Sequence, residues 1–578
     1  MKRFLALFLV LTILVGLTAC GGGNNDGTES TTPSAGETDT TDETGGDDAG
    51  EDTAPSGDGL NVAVNIASEP ETIDPALNSA VDGAVMVQHV FEGLMRWDDD
   101  GNGNAVLANG QMDSFEKVVN DDGTVLYKIV LRDGIKWSDG QDVVAGDFVY
   151  GLRRLVDPET AADYNYMADM IVNANEIMEG TMDKEELGAV AVDDKNLELT
   201  LTYDCPYFME ILAFPALLPV REDIITEHGD QWTFDPETYV GNGAMKMSKW
   251  EHQSYIEMVP SETYYDQERV TVDTLRFALM DDANAILNGF RSGELDFIEQ
   301  MPVDEIKALK DSGELVIVDY VGTYYATFNN TVEPFDDVRV REAFGLVIDR
   351  NYIVNEITQT GEMPATGYVP AGVYDAKGAS GDDFRTVGGD YFDASEEAYE
   401  ANCEKARELL AEAGYPDGEG FPVVEYMYNT DDRHKAIGEA LQNMWQDQLG
   451  VTVNLANQEW GVFLDTRKQG DYQIARNGWI ADYNDPISFL DMWMTGGGNN
   501  DAQYSNPAFD EAIQNAKSTA VPEERMQFMH EAEDILMGDD YFSSPIYFYT
   551  QKYMLNPDLD GLYYTPLGYF FFMSLKQK

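Results

Sequence analysis

Residues 478–486 read GWIADYNDP and place the carboxylate of Asp482 among Trp479, Ile480 and Tyr483. A carboxylate surrounded by apolar and aromatic surface is costly to bury unless a positive charge or several hydrogen-bond donors meet it. Two readings follow. Asp, Asn and Pro all favour turns, and a turn aspartate points into water. Alternatively, Asp482 is the fixed negative member of a site for a cationic group. The stretch alone leaves both open.

Motifs for bond-making chemistry are missing from the chain. It contains no G-x-S-x-G elbow, no H-E-x-x-H pair, no phosphate-cradling G-x-x-x-x-G-K-[ST] loop and no G-x-G-x-x-G turn. HEAED at 530 lacks the second histidine of a zinc helix. DDDGNGNAVLAN (98–109) sets Asp98, Asp100, Asn102 and Gly103 in calcium-loop positions, but Asn109 stands where the bidentate glutamate belongs. That segment is expected to be a surface turn. The expectation is of no catalytic residue, no metal and no cofactor.

The elements that must position such a site alternate along the chain without an internal repeat. Strands are predicted at LNVAVNIA (60–67), VLYKIVL (125–131) after the turn signal DDG, and NLELTLTY (196–203). Helices are predicted at VREAFGLVID (340–349), at 396–414 and at 434–450, the last two ending at Gly414 and Gly450. The mixture predicts an α/β protein. Residues 60 to 578 are too many for a single core and suffice for two to four domains. YFFFM (569–573) is predicted to be a strand or core edge.

Charge and targeting narrow the class further. A formal net charge of −70, from 36 Lys and Arg against 106 Asp and Glu, repels polyanions, so nucleic acid is disfavoured as a partner and cationic ligands are favoured. Most of those acids are expected to form a solvated face. At the start, Met1, Lys2 and Arg3 precede an apolar run from Phe4 to Leu17 that is too short for a comfortable membrane span, and LTAC closes it. This resembles the signal peptide and lipobox of a bacterial lipoprotein (1–20), with Cys20 carrying lipid. Gly21 to Gly59 contains no aromatic, Lys or Arg and is expected to be a disordered acidic tether. A flexible coil of that length would hold the body on the order of 35 Å from the membrane, which fits the outer face of a Gram-positive cell. Cys205 and Cys403 have no metal spacing, and their sequence positions leave a bridge between them undecided.

Six segments occur in an order that carries a resemblance. SEPETIDPA (68–76), VFEGLMRW (90–97), LRDGIKWSDG (131–140), FNNTVEPFDDVRVREAF (328–344), LLAEAGYPDGEGFP (409–422) and GWIADYNDP resemble the extracellular solute-binding proteins of peptide ABC importers, over essentially all of 60–578. The resemblance implies a two-lobed periplasmic-binding-protein-like fold of the large three-domain type, with a hinge and mixed sheets. It implies a discontinuous domain I (60–91, 235–323 and 549–578), a domain II at 92–234 and a domain III at 324–548. It implies a monomer that binds oligopeptides, delivers them to a permease with its ATPase subunits, and touches the membrane only through the lipid anchor. Relatives with other cargo (dipeptides, nickel complexes, haem, oligosaccharides) keep those alternatives open, and a hydrolase is a remote one.

By the same resemblance, Asp482 pairs with the α-ammonium of the peptide, with Trp479 and Tyr483 beside it. Arg476, Arg467 and His434 meet the C-terminal carboxylate at different ligand lengths, and Trp460, Trp479 and Tyr483 line side-chain pockets. The segments YYATFNN, EQMP and NSAV imply contacts from Tyr324, Tyr325, Glu299, Gln300 and Val81. Some relatives carry a disulfide near this site. The matching positions here are Gly322 and Ile480, so that bridge is expected to be absent.

Overall fold

In the computed structural model, residues 59–578 are described. The signal expected at 1–20 with Cys20, and the tether expected at 21–59 apart from Gly59, lie outside the described residues. Asn61–Asn65, Val125–Leu131 and Asn196–Leu201 are strands, Tyr399–Glu412 is a helix, and Asp432–Leu449 is a helix ending at Gly450 with φ 69°. That left-handed cap is open to glycine at little steric cost. The helix expected at 340–349 starts earlier and stops sooner, at Val338–Leu346, with Asp337 capping its N-terminus. The 569–573 run contributes only the two-residue strand Phe570–Phe571.

Two long strands organise the molecule. Val316–Phe328 and Ser543–Leu555 run antiparallel, and each extends through an 11-stranded sheet. On one side Val316–Phe328 pairs with Ile474–Ile480, which is followed by Val424–Asn429 and Val453–Gln458. On the other side Ser543–Leu555 pairs with Phe297–Ile298, which lies beside Asn61–Asn65 and then Thr274–Ala278. The pairing of the long strands shifts register between Asp319 and Thr323. An irregularity at this point is where a sheet can bend and re-aim its two halves. A separate four-stranded sheet contains Met112–Val119, Val125–Leu131, Asn196–Leu201 and Ala189–Ala191.

Local sequence explains these choices. Val125–Leu131 alternates between buried and more accessible positions, as a strand with one covered face must. From Val321 to Phe328 every residue is buried, because helices and loops cover both faces of the long strand there. Val424–Asn429 and Val453–Gln458 are parallel and joined by Asp432–Leu449, the crossover helix that parallel strands require. The chain end closes the first half: Phe572 N donates to His89 Nε2 at 3.0 Å, and Thr271 N donates to Met573 O at 2.8 Å.

Gly322 lies opposite Ile480 in the strand pair, so the two positions matched to a bridge in relatives do face each other. A Cβ on Gly322 would stand 2.3 Å from Ile480 Cδ1 and 2.6 Å from Trp479 O, so only glycine fits. Cys205 and Cys403 are both buried free thiols. The 98–109 segment is a hairpin whose Asp99 and Asp100 accept hydrogen bonds from the turn's own backbone amides, as the turn reading expects. Among the described residues no group of His, Cys, Asp and Glu could hold a metal ion.

Candidate functional site

A cavity of ≈ 270 Å³ opens between the segment before the first long strand and the segment between the two long strands. Asp482 lies at one end, just past the strand Ile474–Ile480. Its side chain is 7% exposed, and it accepts hydrogen bonds from Tyr164 Oη at 3.1 Å and Ser488 Oγ at 3.2 Å. Tyr164 belongs to the first segment, so the aspartate is bonded across the cavity. No cation is within 4.0 Å of it among the described residues. Burial drives the Asp482 carboxyl well above the ordinary range, and the Asp491 charge adds to this against the two hydrogen bonds. A positive group placed beside this carboxyl would oppose that shift and favour its charged form.

The remainder of GWIADYNDP serves to hold that carboxylate. Trp479 Nε1 donates to Ser488 O at 2.6 Å, and the Asp482 amide donates to Ser488 Oγ at 2.8 Å. Asp485 takes the Arg525 fork at 2.7 and 2.8 Å. The turn and the site are thus both present: Asp485 is paired within its own segment, and Asp482 is left for the cavity. Tyr483 does not line it. Its ring stacks on Tyr207 of the first segment at 4.4 Å and 5°.

The opposite end is basic. Arg476, His434, Trp460, Arg467, Glu299, Gln300 and Val81 all line the cavity. The Arg476 guanidinium lies 5.4 Å over the Tyr324 ring and 6.0 Å over Trp460. Arg467 is engaged differently: its Nε is 2.6 Å from Asp501 Oδ2, an ion pair at the wall. His434 is 3% exposed, with Nδ1 3.3 Å from Tyr324 Oη. Burial, and next the Arg476 charge, push its pKa well below the usual value, so it is neutral at pH 7.

Two expected contacts are displaced by strand geometry. Tyr324 is fully buried, stacked on Tyr547 at 4.7 Å, and reaches the site only as the floor beneath Arg476 and His434. Tyr325, one residue on, points to the other face, edge-on to Tyr368 at 5.3 Å and Trp493 at 6.2 Å. Successive strand residues point oppositely, so adjacent tyrosines cannot both face one cavity.

Several lining groups were not singled out from the sequence. Arg433, in the first turn of Asp432–Leu449, and Lys552, on the second long strand, add two cations at the basic end. A cation at a helix N-terminus opposes the helix dipole, and a lysine inside a buried strand is rare; both were signals in the sequence. Lys468 bridges the cavity rim to Glu71 at 3.1 Å and Asp163 at 2.9 Å. Lys517 joins Asp169 of the first segment to Asp491, the latter at 3.1 Å. These contacts, the Tyr207–Tyr483 stack and the Tyr164–Asp482 bond hold the two sides together.

Comparison with known proteins agrees with this geometry. The family model for bacterial extracellular solute-binding proteins, family 5 Middle, matches residues 111–501. The chain is 36% identical over 502 residues to the periplasmic oligopeptide-binding protein OppA of Salmonella typhimurium, covering 86% of this chain and 88% of that one. Among solved structures, Haemophilus influenzae OppA in complex with RPPGFSPFR superposes with a TM-score of 0.83 at 30% identity, over 90% of this chain and 99% of that one. The murein tripeptide binding protein MppA of Escherichia coli gives 0.82 at 27% identity, whereas the unliganded open form of MppA gives 0.58 at 30% identity, each over 90% of this chain and 99% of the other. The fold therefore superposes better on peptide-bound OppA than on that unliganded open form. This chain belongs to the bacterial extracellular solute-binding proteins, family 5.

Proposed function

We propose that this protein is the substrate-binding component of an ABC importer, capturing oligopeptides between its lobes and delivering them to a membrane permease and its ATPase subunits. The observation that carries this reading is the polarity of the cavity: a buried carboxyl with no cation within 4.0 Å at one end, and at the other Arg433, Arg476 and Lys552 with no carboxylate within 4.0 Å among the described residues. An uncapped peptide is the complement, with an ammonium at its head and a carboxylate at its tail. Such a pairing reads what all peptides share, while water excluded from the cleft strengthens each charge-assisted bond.

In this mechanism Asp482 takes the α-ammonium, and Arg476 meets the terminal carboxylate. Glu299, Gln300 and Val81 border the chain, and Trp460 and Trp479 form apolar walls. Ligand binding shifts the hinge toward closure because only the closed state brings Tyr164, Lys468 and Lys517 to their partners across the cleft. No covalent step is needed. The domain division 60–91 with 235–323 and 549–578, then 92–234 and 324–548, places the hinge within the two long strands, and their register shift supports it. Lipidation at Cys20 and an acidic tether would hold a monomeric body outside the cell membrane of a Gram-positive organism.

Native mass spectrometry of the protein as purified tests the reading. A ladder of bound masses that fragment as peptides is expected, and a single mass belonging to a metal chelate or an oligosaccharide would overturn it.

A further inference from the structure

The basic end of the cavity carries more positive charge than one peptide carboxylate requires. Arg433, Arg476 and Lys552 all line it, and among the described residues none has a carboxylate within 4.0 Å or any side-chain hydrogen bond. The Nε atoms of both arginines are buried without a partner. Lys552 is 8% exposed. In a chain with 106 acids for 36 Lys and Arg, cations left unpaired in one place are a conspicuous departure. Buried charge without a directly bonded partner is costly, so an anion that enters and pairs with these groups is favoured.

The acids nearby do not complete it. Asp431 caps the helix, accepting from the His434 amide at 2.9 Å, with His434 Nδ1 at 3.8 Å. Glu362 accepts from the Thr358 hydroxyl at 2.9 Å, the Thr360 amide at 3.0 Å and the Thr360 hydroxyl. Glu299 accepts from Gln551 Nε2 at 3.0 Å, and its burial raises its pKa to about 8, so it is largely uncharged at pH 7. Asp82 is raised to about 6 by burial. Lys552 is lowered to about 8, first by burial and then by the Arg433 charge, while the charges of Glu362, Asp431 and Glu299 act in the opposite sense without forming an ion pair within 4.0 Å.

Arg476 lies four residues before Ile480 on an extended strand, about 13 Å along it, and Asp482 follows two residues on. An extended peptide rises about 3.3 Å per residue, so one of three to five residues spans from Asp482 to the basic end. Its terminal carboxylate can satisfy Arg476 by a bidentate contact. Arg433 and Lys552 then remain.

We propose that Arg433 and Lys552 form a second anion site, separate from the terminal carboxylate contact, that makes this protein select peptides with an acidic side chain at or next to the C-terminal residue. The inference rests on the peptide-binding reading above. It runs against what net charge alone suggests, since an acidic body should favour cationic peptides. The field inside the cleft, set by unscreened groups a few ångströms away, outweighs a surface charge screened within about 8 Å at physiological salt.

The test is calorimetry on protein stripped of ligand by unfolding and refolding, with a set of peptides three to five residues long that differ only at the last position: Ala, Glu or Lys, plus one with Glu at the first position. The final-Glu peptide is expected to bind about 10- to 100-fold more tightly than the final-Ala one at each length that binds, the range of one desolvated charge-assisted contact. The final-Lys peptide should be weakest, and Glu at the first position should give no gain. In Arg433→Leu and in Lys552→Met the Glu-to-Ala affinity ratio should fall toward one. Equal affinities for final Ala and final Glu in the parent, or a preference for Lys, overturn the inference while leaving peptide capture intact. Failure of every peptide to bind overturns the functional reading itself. Because the parent's ratios decide the matter, a variant that fails to fold does not leave it open.

Discussion

Acetylating the N-terminus of a bound peptide and replacing Asp482 by Asn remove the two halves of one proposed contact, and the pair can be run as a double-mutant cycle. In the closed protein Asp482 is bonded only to neutral donors, Tyr164 and Ser488, and no cation lies within 4.0 Å among the described residues. Truncating one partner of a buried hydrogen-bonded charge pair costs about 2–5 kcal/mol. Here the lower half of that range applies, because burial raises the Asp482 pKa in the empty cavity and part of the pairing energy goes to reversing that shift. Asp482→Asn should therefore weaken binding of a free peptide by about 30- to 150-fold, which corresponds to about 2–3 kcal/mol. The amide preserves size and keeps one oxygen to accept from Tyr164 or Ser488, while its NH2 can donate to Ser488 Oγ where the second acceptor is lost, so the loss reads mainly charge rather than packing. Calorimetry supplies the four affinities, and differential scanning calorimetry shows whether each protein is folded. In the parent, acetylation should cost a similar factor, about 30- to 150-fold; in the Asp482→Asn variant it should cost less than about fivefold. A variant that binds within about threefold of the parent, or an equal acetylation penalty in both proteins, would refute the pairing.

Proton linkage gives an independent check. Burial raises the Asp482 pKa in the empty site and a bound ammonium lowers it, so binding releases protons at pH values between the two. Affinity should climb as pH rises toward the raised value and fall above about 8, where the ligand's own amine deprotonates; binding enthalpy should differ between phosphate and Tris buffers, and identical enthalpies would contradict the linkage. Lys468→Ala removes the ion pairs to Glu71 and Asp163 across the cleft. It should raise the dissociation rate about 3- to 10-fold by stopped flow with little change in association, as expected for a partly exposed closing contact worth about 1 kcal/mol; a change confined to the association rate would count against a closing role. Gly322→Ala forces a Cβ to 2.3 Å from Ile480 Cδ1 and should destabilise the fold by about 1–3 kcal/mol in urea unfolding; an unchanged midpoint would show that the strand pair is looser than described.

The fold was legible in the sequence to an uneven degree, and particular elements show why. Strands with strict alternation, such as Val125–Leu131, and the helix stopped by Gly450 declare themselves locally. The sheet order does not. Joining Phe297–Ile298 to both Asn61–Asn65 and Ser543–Leu555 is a long-range pairing that no local period encodes, and only family resemblance implied that the chain end returns. The site divides in the same way. Resemblance pointed to Asp482, Arg476 and His434, which do line one cavity, but it carried Tyr324 and Tyr325 over as a pair, and a strand must turn one of two neighbours away. Tyr483 went to the interlobe stack with Tyr207. Arg433 was passed over beside His434 although its place in a helix first turn, where cations are disfavoured, marked it. Tyr164 had no local sign at all, because its meaning comes from lying across the cleft from a residue 318 positions away.

The central claim is that one buried carboxyl reads the positive head of a peptide. A crystal structure of the protein with a bound tetrapeptide tests it most directly. The account predicts the peptide's N-terminal nitrogen at about 2.8 Å from an Asp482 oxygen, with the terminal carboxylate toward Arg476. A peptide lying in the reverse direction, or one whose nitrogen faces solvent while Asp482 keeps only Tyr164 and Ser488, would contradict it.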